Sequence, residues 1–364
     1  MTWEQVRGLR LRAQRLDQPP AASVAEVVRA VGGVQAQAPL AAALSVRPRC
    51  QRVTAAQVEG ARVEARSIVR TWLMRGTLHL VASDDLPWLL PLFGPLFSAG
   101  NRRRRLELGL DDATTERGVA ALRNVLSDAG PLTRDQIVER LAERGIELVG
   151  QARPHLIAYA AQQGAVCCGP DRGGEPTYAL LKDWLGYQPH PAPATMLPEL
   201  VRRYLAAFGP ARPEDMAAWS GLSIREVRAA WTGVAAEMLE VAVEDQPLWL
   251  LTRDAARLDM VDSPPLPVRL LAAFDTLLLG YRSRQWPGAA EYERRIKGGG
   301  LLPPALLVEG RVAGTWRVER GRHRVTVEVT PFKKLDPDLE AALAAEAGDV
   351  GRFYGVDGQL VIRE

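Results

Sequence analysis

The strongest constraint on the fold of this chain is a pattern that occurs twice in its middle. A helical stretch over residues 115–127 is followed by Gly130-Pro131 and then by a second helix. Thr133 caps that second helix, and Gln136 three positions on completes a capping box. A third helical pattern covers 153–163 and stops at Gly164. Residues 165–168, a turn-rich stretch at 169–176 and residues 177–181 then read as a β-hairpin. Three helices and a hairpin make a winged helix. After a proline-rich linker at 188–193 the order recurs, with a helix at 196–207 and Gly209-Pro210 at the point equivalent to the first Gly-Pro pair. A turn at Gly221, a helix at 224–231 capped by Ser223 with Glu226, and strands at 239–243 and 248–251 complete a second motif in tandem.

The N-terminal third fits a looser version. Helices are expected at 3–16, after a Ser23 cap with Glu26 three residues on, at 40–46 and at 55–65. Residues 68–74 and 77–81 supply wing strands around a turn near Arg75-Gly76. The C-terminal part is β-rich, with short strands at 270–279, 305–308, 311–318 and 323–329 before a final helix at 337–346. The fold class expected is α+β: three tandem winged-helix motifs plus a C-terminal open barrel or sheet. The corresponding domains are 1–110, 111–187, 194–262 and 263–364.

Composition excludes several classes. No stretch reaches 18 uncharged apolar residues, so no membrane span is expected. The first residues carry Glu4 and no apolar core of a secretory signal, which points to a cytoplasmic protein. Cys50, Cys167 and Cys168 are too few and too badly spaced for a disulfide framework or a zinc site. No other cluster has metal-ligand spacing, and Gly298-Gly-Gly300 lacks the strand-turn-helix setting of a phosphate loop. Neither a metal nor a cofactor is therefore expected. Net charge is only +3, but just four of 46 basic residues are lysine. A GC-rich genome inflates arginine in this way, and arginine is also the better bidentate phosphate partner.

Gln35 and Gln37 flank one small apolar residue in the connection leading to the helix at 40–46. In a period-2 segment, residues i and i+2 point the same way, so both amides can face one cavity. Around them, four strings together carry a resemblance. They are Val34-Gln-Ala-Gln37, Arg70-Thr-Trp-Leu-Met-Arg-Gly-Thr-Leu-His79, Phe274-Asp-Thr-Leu-Leu-Leu-Gly-Tyr281 and Val308-Glu-Gly-Arg-Val-Ala-Gly-Thr-Trp316. Over almost the whole chain they resemble the tandem winged-helix DNA glycosylases of the AlkZ type, which unhook interstrand crosslinks and remove bulky N7-alkylguanine adducts. That family uses a Gln–apolar–Gln motif for catalysis, and Gln35 and Gln37 are the matching positions. A sister branch carries Asp at the second position; Gln37 places this chain with the antibiotic-resistance branch.

The resemblance implies a monomeric, monofunctional glycosylase whose partner is double-stranded DNA carrying alkylated guanine, seated in a concave groove between the winged helices. A glutamine amide is neither acid nor base near pH 7, but it orients a water at the sugar C1′. That suffices only for a leaving group that departs readily, such as guanine made cationic at N7. DNA contacts are expected from Arg75 at a wing turn, from His79, and from Arg102, Arg103, Arg104 and Arg105, the densest basic run. His79 also reads as a hydrogen-bonded core histidine, Asp275 as a turn cap, and Trp72, Trp219, Trp231 and Trp316 as core. The competing class is a non-enzymatic winged-helix transcriptional regulator, which would dimerise on palindromes with one motif per chain.

Overall fold

The computed structural model describes residues 1–191, 195–244, 246–260, 266–283, 290–295 and 302–363. They form two compact units. One is continuous, Gly60–Met196; the other combines Met1–Glu59 with Leu197–Glu364. The first of the sequence-derived segments, 1–110, is thus divided after Glu59. The end of the linker expected at 188–193 falls outside the described residues.

In the continuous unit, Ile68–Trp72 pairs with Leu78–Ala82 around the expected turn, and Val166–Cys168 pairs with Thr177–Leu180. Arg70 opposite Cys168 joins the two hairpins, and Leu132–Thr133 extends the sheet beside Thr177–Leu180, every pairing being antiparallel. The helices Asp112–Ala129, Arg134–Ala142 and Ala152–Gln162 bury Leu122, Val125, Leu126, Ile137, Leu141, Leu156 and Ile157 in one cluster. Spacings of three and four residues put Leu122, Val125 and Leu126 on one helix face and Ile137 and Leu141 on another. Each contributes about 1.5–3 kcal/mol when fully buried. The Thr133–Gln136 capping box forms as expected. The helix before it starts earlier than residue 115, because Asp111 accepts from the Thr114 amide at 2.7 Å.

Residues 86–97 carry three prolines and a glycine, yet Leu86–Gly100 is one helix containing Pro91 and Pro95. Leu86, Leu89, Leu90 and Phe93 bury one face, and that burial outweighs the two missing amide donors. Gly94 has a packing role: a Cβ there would collide with the Gln162 carbonyl.

In the discontinuous unit, Thr2–Gln5, Ser23–Glu26 and Ser223–Glu226 capping boxes open the helices Trp3–Ala13, Val24–Ala30 and Ile224–Gly233. Met196–Phe208 and Pro213–Ser220 precede the last of these, and Met238–Val243 pairs with Gln246–Leu251 after it. A five-stranded open sheet runs in the order Asp357–Ile362, Arg324–Pro331, Arg311–Arg320, Ala305–Val308, Arg269–Leu271.

The C-terminal part differs from expectation in three ways. The strand expected at 270–279 ends at Leu271, because Phe274 takes a left-handed conformation (φ 58°) and Asp275 caps the short helix Thr276–Leu279. The last helix runs to Tyr354 rather than 346. It is followed by Asp357–Ile362, a strand missing from the expectation, which pairs in parallel with Arg324–Pro331.

Two interior assemblies hold this unit together. Tyr204, Phe208, Trp219 and Tyr281 form an aromatic cluster with centroid separations of 5.0–5.9 Å. Beside Gln14, Arg49 grips Asp275 at 2.6 and 2.8 Å with both side chains fully buried. Arg47 pairs with Asp349 and Glu346. A bidentate guanidinium–carboxylate pair satisfies both charges without water.

Candidate active site

The glutamine motif is built by the end of one helix and the start of the next. Val24–Ala30 closes at Val31, and Gly32 and Gly33 then take φ of 75° and 88°, reversing the chain. Gly32 also lies against the aromatic cluster, where a Cβ would meet Phe208 and Trp219 at 3.2 and 3.3 Å. The chain leaves this turn extended, with Val34, Gln35 and Ala36 buried, and Pro39–Val46 begins two residues after Gln37. Alternation places the two amides together, as expected. Gln35 Nε2 donates to Gln37 Oε1 at 2.7 Å.

Their environments differ. Gln35 is 8% exposed, whereas Gln37 is open to solvent. A carbonyl oxygen has two lone pairs. Gln35 occupies one on Gln37; the other, and both hydrogens of its NH₂ group, have no protein partner among the described residues. The result is an amide oxygen on an exposed residue, held by a buried donor. It can take one water O–H, and it cannot remove a proton.

Asp275, the carboxylate a conventional glycosylase would use as base, is unavailable. Both oxygens are held by Arg49, and one also caps the Leu277 amide, as the turn-cap reading expected. Burial raises the thiols of Cys167 and Cys168, the latter to about 11, so neither is a nucleophile at neutral pH.

The residues expected at DNA divide into two groups. Arg75 sits at the tip between two strands, with φ 54°, and burial lowers its pKa to about 10, leaving it charged. Arg102 pairs with Asp112, while Arg103 and Arg104 pair with Glu107. All three lie on the surface helix Arg102–Glu107, and the Arg103 side chain is 92% exposed. Arg105 and His79 correct the expectation. Arg105 is buried, donates to the Ser98 carbonyl at 2.6 Å and lies 4.3 Å over the Tyr159 ring, so its charge is spent on packing. His79 is buried with Nδ1 at 2.9 Å from the Thr77 carbonyl, and burial, with the Arg75 charge, lowers its pKa to about 3. A neutral interior imidazole offers no cation to a phosphate.

Sequence reasoning passed over Leu40, which is 60% exposed in the first turn after Pro39. The sequence places it only at the start of the apolar helical pattern at 40–46; its accessibility reveals a bare leucine three residues from Gln37. Among the described residues no His/Cys/Asp/Glu group could hold a metal ion, and no helix is long and apolar enough to cross a membrane.

An α+β chain with a hydrogen-bonded amide pair and surface arginines fits a nucleic-acid hydrolase of the glycosylase class. The family described as DNA glycosylase AlkZ-like matches residues 28–353, and the chain belongs to that family. The "Interstrand DNA cross-link repair glycosylase" of Streptomyces sahachiroi is 30% identical over 371 residues, covering 98% of this chain and 97% of that protein. The solved structure of the Streptomyces sahachiroi DNA glycosylase AlkZ superposes with a TM-score of 0.85 at 28% identity, covering 100% of both chains.

Proposed function

We propose that Gln35 and Gln37 are the catalytic pair of this DNA glycosylase. In this reading it hydrolyses the N-glycosidic bond of cationic N7-alkylguanine, bulky adducts and interstrand crosslinks included, and leaves an abasic site. The observation that carries the reading is the 2.7 Å bond from Gln35 to Gln37, which holds the amide of an exposed Gln37 and leaves one lone pair of its oxygen without a protein partner among the described residues. A water donating to that oxygen is held for attack on C1′ as the sugar becomes oxocarbenium-like. The amide oxygen also lies toward developing positive charge, which it stabilises without changing its protonation state.

Without a general base, the chemistry depends on the leaving group. N7-alkylguanine leaves as a neutral base, so positioned water suffices; uracil departs as an anion and does not. The exposure of Gln37 suits a lesion that cannot be flipped into a closed pocket because its adduct ties it to the other strand. The chain carries no lysine before Lys182, which disfavours a Schiff-base lyase step beside the glutamines. In this reading the protein acts as a cytoplasmic monomer on the nucleoid, and it serves self-resistance to a DNA-alkylating genotoxin. The test is release of free base from duplex DNA: N7-methylguanine is released and uracil is not. Efficient uracil release would show that leaving-group charge does not limit the reaction.

A further inference from the structure

Away from the glutamines, the discontinuous unit contains a cavity of about 460 Å³ with an unusual charge inventory. Four guanidinium groups, from Arg7, Arg10, Arg212 and Arg311, line it against two carboxylates, Asp215 and Glu244. Both carboxylates already accept from neutral N–H groups. Asp215 takes the Arg212 and Arg282 backbone amides at 3.1 Å each, and Glu244 takes the Trp3 indole at 3.0 Å. Arg10 is anchored on the Pro210 carbonyl at 2.8 and 3.0 Å and lies 3.9 Å over the Tyr281 ring. Arg212 donates to Gln246 at 3.0 Å and also pairs with Asp215, Nε to Oδ2 at 3.9 Å.

Arg7 is the exception. It is 3% exposed, lines the cavity, and makes no hydrogen bond or ion pair among the described residues; its Nε is buried without a partner. Burial and the neighbouring Arg311 both lower its pKa, and the charges of Glu4 and Glu309 only partly oppose this. A buried guanidinium with no acceptor costs several kcal/mol relative to a satisfied one. Arg311, exposed and likewise unpaired among the described residues, follows the Glu309–Gly310 turn, which packs on the side chain of Arg7. The planar forks of these two arginines, with Arg212 beside them, match the tetrahedral oxygens of phosphate. The volume falls in the roughly 300–1,000 Å³ range of small-ligand sites.

We propose that this cavity binds a phosphate group, with Arg7 as its buried anchor and Arg212 and Arg311 as its rim. Two sources share that chemistry: a backbone phosphate of the DNA substrate, or the phosphate of a free mononucleotide.

The experiment uses the full chain and inorganic phosphate as probe, with chloride at matched ionic strength as control. Phosphate at about ten times its Kd raises Tm by about 2–3 °C, and chloride does not. Arg7→Met keeps the aliphatic stem and removes the stranded charge, so it raises the Tm of the free protein and abolishes the phosphate response. Arg311→Gln, at an exposed position that folding does not need, weakens phosphate binding about tenfold and keeps the test open if Arg7→Met fails to fold. The salt dependence of duplex binding separates the sources: where Arg311→Gln weakens the phosphate response, a slope smaller by about one in that variant identifies a backbone phosphate, and an unchanged slope identifies a free one. No phosphate-specific Tm shift in the wild type, or a shift that persists in both variants, overturns the proposal.

Discussion

Gln35 donates to Gln37 from a buried position, and Gln37 receives that bond from an exposed one. The two glutamines are therefore not equivalent: one is support, the other is surface. Gln37→Ala removes the oxygen proposed to hold water and is expected to slow N7-methylguanine release by roughly two orders of magnitude. Gln35→Ala leaves the oxygen but frees its orientation, so a smaller loss is expected, with duplex affinity nearly unchanged in both. Single-turnover excision and equilibrium DNA binding provide the readouts; full activity of the double alanine variant would remove both residues from the mechanism.

Arg103 and Arg105 are neighbours in sequence and opposites in environment. Arg103→Ala is expected to weaken binding to damaged and undamaged duplex alike and to reduce the salt slope by about one if its guanidinium meets a phosphate. Arg105→Ala is expected to lower stability, since it strips the Ser98 carbonyl of its donor and the Tyr159 ring of its cation. Its salt slope should match the wild type. Measuring Tm and slope for both variants checks this division.

His79 makes acid stability a local property. Its folded pKa of about 3 lies below the ordinary value of 6.5, so between those limits the unfolded chain binds a proton that the native chain does not. Its contribution to stability is complete above pH 6.5 and falls by about 1.4 kcal/mol per pH unit as pH drops toward 3. His79→Asn keeps a donor for the Thr77 carbonyl and removes that titration. Denaturant unfolding from pH 7 to pH 4 should show a shallower decline in the variant than in the wild type.

Gly94 gives a case where propensity and packing disagree in sign. Alanine is favoured over glycine in a helix interior by about 1 kcal/mol. At this position its methyl meets the Gln162 carbonyl, so Gly94→Ala is expected to destabilise by about 1–3 kcal/mol. A variant more stable than wild type in denaturant unfolding would mean that the two helices are not in close approach.

The same contrast between local and distant causes separates what could be read in the chain from what could not. Ser23 with Glu26, Thr133 with Gln136 and Ser223 with Glu226 close their capping boxes within four residues, so the helices they start were visible in order and position. The strand Asp357–Ile362 was not, because its stability comes from pairing with Arg324–Pro331 across an intervening helix. Phe274 hides a similar trap: an apolar run looks like a strand until its left-handed φ and the Asp275 cap turn it into a helix. In the site, the i, i+2 spacing of the glutamines foretold their facing side chains. Nothing in Asn101-Arg-Arg-Arg-Arg105 told which arginine points inward, since that depends on Ser98 and Tyr159. The split after Glu59 was equally hidden, for it rests on contacts with residues beyond 197.

That split sets the order in which a ribosome can finish the enzyme. Gly60–Met196 is contiguous and can close on itself as it emerges, whereas the segment bearing Gln35 and Gln37 must wait. Gly32 packs on Phe208 and Trp219, Gln14 donates to the Ala207 carbonyl, and Arg49 and Arg47 need Asp275 and Asp349. The residues before Glu59 therefore depend on residues beyond Leu197. A chain truncated before Phe208 would carry Gln35 and Gln37 without the residues that hold their segment, and is expected to lack the activity proposed for them.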